Sequence, residues 1–203
     1  MCGVIGYVPT PEAGLVGVVK EAFRALLLQS RIRGTHAYGL AQDGRVVKST
    51  IDALVGAFDP RWPAVAHARY STSGDWTVPE NNQPIVVDRV ALAFNGVIDM
   101  GTKEEFERRW GVRCDTANDG ELFLRRQGSA EQFVATMGGS FAGVWADWGA
   151  RKLHALRNER RPLWSSDHLG ARWYASTRDI FVRAGFESLR ELVPLKLEVV
   201  EWP

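Results

Sequence analysis

The sequence predicts an α+β fold of packed layers. Many short apolar strands are separated by hairpin signals, and the helical stretches are grouped instead of alternating with strands one for one. No proline-serine linker or low-complexity tract divides the 203 residues, so residues 1–203 read as one domain, long enough to bury about 70% of its extended surface.

The elements follow in order. Val4 to Val8 is an apolar run that reads as a buried strand. Leu15, Val18, Val19, Ala22, Leu26 and Leu27 recur at helical spacing, which predicts an amphipathic helix from about Gly14 to Ser30. Tyr38 to Gln42 and Arg45 to Thr50 are two strands around the turn Asp43-Gly44. Pro63 to Tyr70 is a further apolar strand, and the polar stretch from Ser71 to Pro84 is long enough to be a functional loop. Strands resume at Ile85 to Val87 and Val90 to Phe94, the second ending in Asn95-Gly96. Thr102 with Glu105, Asn118 with Glu121, and Ser129 with Gln132 carry the capping-box spacing of three successive helix starts. Phe106, Trp110, Phe133 and Met137 supply their apolar faces. Ser140 to Asp147, Lys152 to Arg157, Leu163 to Ser165, Trp173 to Ser176, Glu191 to Val193 and Lys196 to Val200 are the closing strands. Eight tryptophans are explained mostly by core packing.

A net charge of +1 leaves no electrostatic footprint for nucleic acid or an anionic membrane. The pairs Arg108-Arg109, Arg125-Arg126 and Arg160-Arg161 are interleaved with acids and read as solvated faces. Two cysteines, Cys2 and Cys114, are too few for a disulfide framework. There is no positive n-region, signal sequence or membrane span, so the expected location is the cytoplasm. Four histidines and two cysteines show no metal-ligand spacing, and no metal or cofactor is expected. Cys114 reads as a packed free thiol and His67 as a satisfied core histidine.

The residues with chemistry begin at the terminus. Removal of Met1 would make Cys2 residue one, a thiol beside its own α-amine, with reference pKa values of about 8.5 and about 8. Asn95-Gly96 can offer an amide and a backbone N–H to a developing oxyanion, or be a plain Asn-Gly turn. Arg69 suits bidentate recognition of a carboxylate, or an ion pair at a strand end. Asp119, placed just inside a helix start, can hold an ammonium group or simply complement the helix dipole. An arginine and an aspartate that grip carboxylate and ammonium select an α-amino acid, and glutamine carries an amide carbonyl at the far end.

Met1-Cys2-Gly3-Val4-Ile5-Gly6, Arg33-Gly34, Ala66 to Gly74, Asn82-Gln83-Pro84, Phe94 to Ile98 and Asn118-Asp119-Gly120-Glu121 stand in the order found in class II glutamine amidotransferases, which the chain resembles over nearly its whole length. The resemblance is closest to the glutaminase domain of amidophosphoribosyltransferase, while the Asp119-Gly120-Glu121 triplet is more similar to asparagine synthetase. It implies the four-layer αββα sandwich of N-terminal nucleophile hydrolases. It further implies attack of Cys2 on the glutamine amide, release of ammonia and a glutamyl thioester. By the same resemblance Asn95 and Gly96 form the oxyanion hole, Arg69 binds the α-carboxylate and Asp119 the α-ammonium. Arg33 orders the surroundings of the nucleophile, and Thr72 and Gly120 line the glutamine pocket. Phe94 stands where several relatives have histidine, Asn118 where serine or threonine is common, and Arg160 where glycine is frequent. Nothing after the glutaminase region resembles a phosphoribosyl-pyrophosphate loop or a nucleotide-binding motif. The expectation is a glutaminase without a synthase domain, supplying ammonia to a separate synthase partner. A stand-alone hydrolase of γ-glutamyl amides and a catalytically idle docking domain remain as alternatives.

Overall fold

A computed structural model of the protein describes residues 2–11, 15–72 and 74–202. Met1, Gly14 and Ser73, each part of an expectation above, lie outside the described residues, as does Pro203.

The first sheet contains β1 (Gly3–Pro9), β2 (Ala37–Gln42), β3 (Arg45–Lys48), β4 (Ala64–Arg69), β9 (Trp164–His168), β10 (Ala171–Ala175) and β11 (Leu189–Glu191), in the order β11-β9-β10-β1-β4-β2-β3. The second contains β5 (Ile85–Val87), β6 (Val90–Val97), β7 (Ser140–Asp147), β8 (Lys152–Arg157) and β12 (Glu198–Glu201), in the order β12-β8-β7-β6-β5. Every strand pair is antiparallel. Helices α1 (Val16–Ser30), α2 (Ile51–Ala57) and α6 (Arg178–Arg183) cover the outer face of the first sheet. Helices α3 (Lys103–Trp110), α4 (Glu121–Leu124) and α5 (Ala130–Thr136) cover that of the second. The result is the expected sequence of helix, sheet, sheet and helix layers.

Period-two alternation sorts the side chains between layers. On β1, Ile5 and Tyr7 point toward α1, where they meet Phe23, Phe58 and Trp173, while Val4 and Val8 point toward the second sheet. The inter-sheet layer consists largely of small residues: Val65, Ala91, Ala93, Ala142, Val144, Ala146 and Ala155 are all fully buried. The outer layer of the second sheet is aromatic again, with Phe94, Phe106, Phe123 and Phe141.

Several local expectations change. Asn95 and Gly96 lie inside β6, paired with Ala142 and Phe141, so they form no hairpin turn. Thr102 and Glu105 make the reciprocal capping box of α3. The Asn118–Glu121 pair does not: Asn118 accepts from Gly120 N–H, and the Glu121 carboxylate is turned back onto the N–H groups of Asp115 and Thr116. Asp119 therefore precedes α4 instead of opening it. The short helices α2 and α6 were not expected. Thr50, read as the end of a strand, is the N-cap of α2, its hydroxyl accepting from Ala53 N–H. Arg125 is not a solvated charge, since it pairs with Glu121 and Asp115, and half-buried Arg126 lies over the Phe123 ring. Trp145, Trp173 and Trp202 are core residues, whereas Trp62 and Trp76 are exposed.

Candidate active site

Cys2 is held where the middle of the first sheet meets the second. β1 is paired on both sides, with β10 and with β4, and the N–H of Val4 donates to Ser176 Oγ. The backbone N of Cys2 donates to Asn95 Oδ1 at 2.9 Å, and the thiol donates to the carbonyl of Tyr70 at 3.3 Å. Burial pushes the thiol above its ordinary pKa, against the opposing charges of Arg69 and Arg33. Burial thus favours the thiol over the thiolate, and a nucleophilic role for this sulfur would call for a base beside it.

Asn95 is only 1% exposed, and with Oδ1 engaged by Cys2 its Nδ2 has no hydrogen-bond partner among the described residues. A buried amide donor left unpaired costs about 1–3 kcal/mol unless something binds there. Gly96 follows where the strands crowd, because a Cβ at this position would lie 1.9 Å from the Ser140 carbonyl oxygen. His67, on β4, bridges the sheets from its Nε2 to the Phe94 carbonyl at 3.1 Å. A carbonyl only accepts, so Nε2 carries the proton, and burial lowers this histidine to about 3, keeping it neutral. Only half the expectation of a satisfied core histidine holds, since Nδ1 has no partner among the described residues.

Arg69 ends β4 with its guanidinium turned into the following loop. Nη1 donates to the carbonyl of Asn81 and to Asn82 Oδ1, and Nη2 to Ser71 Oγ at 3.0 Å and the Gly74 carbonyl at 3.2 Å. The loop is buckled from the other side by Asn118 Nδ2 on the Asn81 carbonyl, and Gln83 Oε1 accepts from Phe94 N–H at 2.7 Å. Sequence reasoning singled out Asn82-Gln83 without a role. The run Asn81-Asn82-Gln83 inside a turn-rich loop was the available signal for such a buckle. Thr72 is exposed on this loop.

Asp119 is buried and joins the end of β6, its Oδ2 accepting from the N–H groups of Ile98 at 2.6 Å and Asp99 at 3.1 Å. Its charge and that of Arg69 act on one another. Gly120 is flat against Phe94, for a Cβ there would sit 2.2 Å from the ring. Arg33 follows α1, and burial together with the Arg161 charge lowers its pKa while Cys2 opposes them. Cys2, Asn95 and Arg69 thus meet at one end of the inter-sheet layer, with the charges of Arg33 and Asp119 acting there, whereas Gly120 packs against Phe94 in the outer layer of the second sheet and Thr72 stays on the loop surface.

Two antiparallel sheets between helical layers, with the chain terminus on a central strand, define the N-terminal nucleophile hydrolase fold. The glutamine amidotransferase domain family matches residues 67–183, more than half of the sequence, and the chain belongs to it. That match includes Arg69, Thr72, Asn95, Gly96, Asp119 and Gly120, while Cys2 and Arg33 precede it. Among solved structures, glutamine phosphoribosylpyrophosphate amidotransferase from B. subtilis, complexed with ADP and GMP, superposes with a TM-score of 0.73 at 21% identity, covering 98% of this chain and 47% of that one. A structure described as the allosteric regulatory enzyme of purine biosynthesis gives 0.71 at 21% identity, with the same coverage of 98% and 47%. At such identity the likeness is one of fold, and the chain spans about half the length of these structures. No curated protein matches the sequence. No helix among the described residues is long and apolar enough to cross a membrane.

Proposed function

We propose that this domain hydrolyses the side-chain amide of glutamine through Cys2 as the N-terminal residue of the processed chain. The observation that carries the reading is the Asn95 amide: Oδ1 takes the Cys2 nitrogen while Nδ2 is buried without a partner. Once Met1 is removed, that nitrogen is an α-amine, the base the protonated thiol needs. The amine takes the thiol proton, the sulfur bonds to the amide carbon, and the oxyanion falls between Asn95 Nδ2 and Gly96 N–H. The carbon–nitrogen bond then breaks, the leaving nitrogen takes the proton from the amine, and ammonia departs from a glutamyl thioester. Water cleaves the thioester with the amine again accepting a proton, returning glutamate and the thiol.

Arg69 and Asp119 supply opposite charges for the α-carboxylate and α-ammonium, with Thr72 and Gly120 along the pocket and Arg33 adding positive charge beside the sulfur. Read as a single glutaminase domain over residues 1–203, the chain would pass its ammonia to a separate synthase. A copurifying protein that stimulates glutamine hydrolysis is the expected finding, and the absence of any such protein would overturn that extension. The primary test takes protein whose mass confirms loss of Met1 and compares ammonia and glutamate release for wild type and Cys2→Ala. Turnover should vanish in the variant; equal turnover in both would refute Cys2 as the nucleophile.

A further inference from the structure

A cleft of about 740 Å³ opens at the end of β6, where Val97 faces Ser140 across the strands, one pair beyond Gly96 and Phe141. Neither Arg69 nor Asp119 lines it. Arg109, Arg160 and Arg161 do, with Asp99 as the one acid. Asp99 is already engaged, accepting from Arg109, from Trp110 Nε1 at 2.9 Å and from Gly101 N–H at 2.8 Å. Arg160 is turned onto the carbonyls of Gly138 and Gly139.

Arg161 differs from both. It is half-buried instead of solvated, its Nε is enclosed without a hydrogen-bond partner, and its guanidinium makes no ion pair among the described residues. The turn that carries it is nevertheless fixed. Arg161 N–H donates to the Asn158 carbonyl at 3.5 Å, and Asn158 clamps β7, its Oδ1 accepting from Phe141 N–H at 3.1 Å and its Nδ2 donating to the Gly139 carbonyl at 3.0 Å. Arg161 is thus fastened to the strand that pairs with Gly96. From there its charge acts on Arg33, and the neighbouring Gly34 lies against Tyr70, whose carbonyl takes the Cys2 thiol. A guanidinium that bears on a second arginine and keeps an enclosed donor unpaired is completed by an anion.

On the proposed function, Arg69 and Asp119 take the α-groups of the substrate, and Asn95 with Gly96 takes the carbonyl oxygen. The substituent left to place is the one on the amide nitrogen. We propose that the protein also cleaves γ-glutamyl amino acids, with the leaving amino acid in this cleft and its carboxylate on Arg161. Met100, 73% exposed, and Met137 give the cleft a pliable apolar wall for that amino acid's side chain. The chemistry is the one proposed for glutamine, and the inference rests on it. Cys2 sulfur bonds to the γ-carbonyl carbon, the carbon–nitrogen bond breaks, and the leaving nitrogen takes the proton held by the Cys2 amine, so that an amino acid departs in place of ammonia. Water then cleaves the thioester to glutamate and the free thiol.

The test uses a matched pair, γ-glutamylleucine and γ-glutamylisoamylamide, which differ only by the carboxylate. In calorimetric titration of the full chain carrying Cys2→Ala, which cannot turn them over, γ-glutamylleucine should bind about tenfold or more tightly than the amide. Adding Arg161→Gln should bring the two affinities together, and Arg161→Lys should restore part of the difference. Equal affinities without the Arg161 change, an unchanged ratio in Arg161→Gln, or no saturation by γ-glutamylleucine at concentrations on the order of 10 mM would each overturn the subsite. The processed chain with Cys2 intact should release leucine from γ-glutamylleucine. Ammonia from glutamine without leucine from γ-glutamylleucine would overturn the added activity and leave the proposed function standing. Leucine release without ammonia release would strike glutamine as the substrate and keep the γ-glutamyl amino acids, and release of neither would overturn both.

Discussion

The two faces of β1 are packed on different principles. The face toward α1 is filled by large rings, Tyr7 meeting Phe58 edge-on and Trp173 at a tilt, and the outer layer of the second sheet is likewise filled with rings around Phe123. The face toward the second sheet meets alanines and valines along most of its length, then at one end gives way to Cys2, His67, Asn95 and Arg69. Rings fill volume and supply stability through buried area. Small residues instead bring two backbones close, and closeness lets Cys2 N–H find Asn95 Oδ1 and His67 find the Phe94 carbonyl from opposite sheets. The outer layers hold the sandwich together, and the inner layer sets its spacing.

The largest effect expected from this contrast is in an outer layer. Phe123→Ala removes a ring packed against Phe141, Phe133 and Trp145 and should cost about 3–5 kcal/mol in chemical denaturation. The molecules that remain folded should keep a normal rate of Cys2 labelling by a glutamine analogue, and lost labelling would dissolve the distinction between layers. Asn95→Ala should do the reverse, lowering kcat by about 10² to 10³ fold, or about 2.7–4 kcal/mol of transition-state stabilisation, while leaving the melting temperature nearly unchanged. Ala93→Leu, in the inner layer, overfills the gap between the sheets and should cost about 1–3 kcal/mol. It should also depress kcat more than its stability loss explains, because Cys2 and Asn95 are pushed apart; a stability loss without a kcat loss would show that the inner layer does not set the spacing.

The smallest effect separates the polar end from the rest. Above about pH 6.5 His67 is neutral in both folded and unfolded chains. Below that the unfolded chain binds a proton that the folded one refuses until about 3, so stability falls with acidification, by at most about 1.4 kcal/mol per pH unit. In His67→Gln the decline of melting temperature between pH 6 and pH 4 should flatten, and an identical slope would assign it to other groups.

Much of the sandwich was legible because its strands are apolar and its turns carry their own signals, as at Asp43-Gly44 and the box of Thr102 and Glu105. The helices α2 and α6 were not, for each is under two full turns, and an i, i+3, i+4 set as short as Ile51, Leu54 and Val55 is too brief to stand out from the strand ending just before it. At the site the sequence showed which residue types were present, whereas their roles depended on partners far along the chain. Asn95-Gly96 has the composition of a hairpin, and only the β7 strand beside it makes it part of β6. Arg69 reads as a free carboxylate binder, yet its reach onto Gly74, Asn81 and Asn82 is invisible until the loop has folded back.

The placement of β1 also sets a timetable. Val4 is fastened to Ser176, 172 residues away, so the strand that carries Cys2 cannot be enclosed on both edges until most of the chain has left the ribosome. At typical synthesis rates that interval is roughly 10 to 30 seconds. During it the newborn N-terminal strand lacks its β10 partner, and afterwards the Cys2 nitrogen is held on Asn95 Oδ1. The first strand to be made is thus among the last to be enclosed, and on the proposed function any trimming that frees the Cys2 amine belongs to the interval before closure.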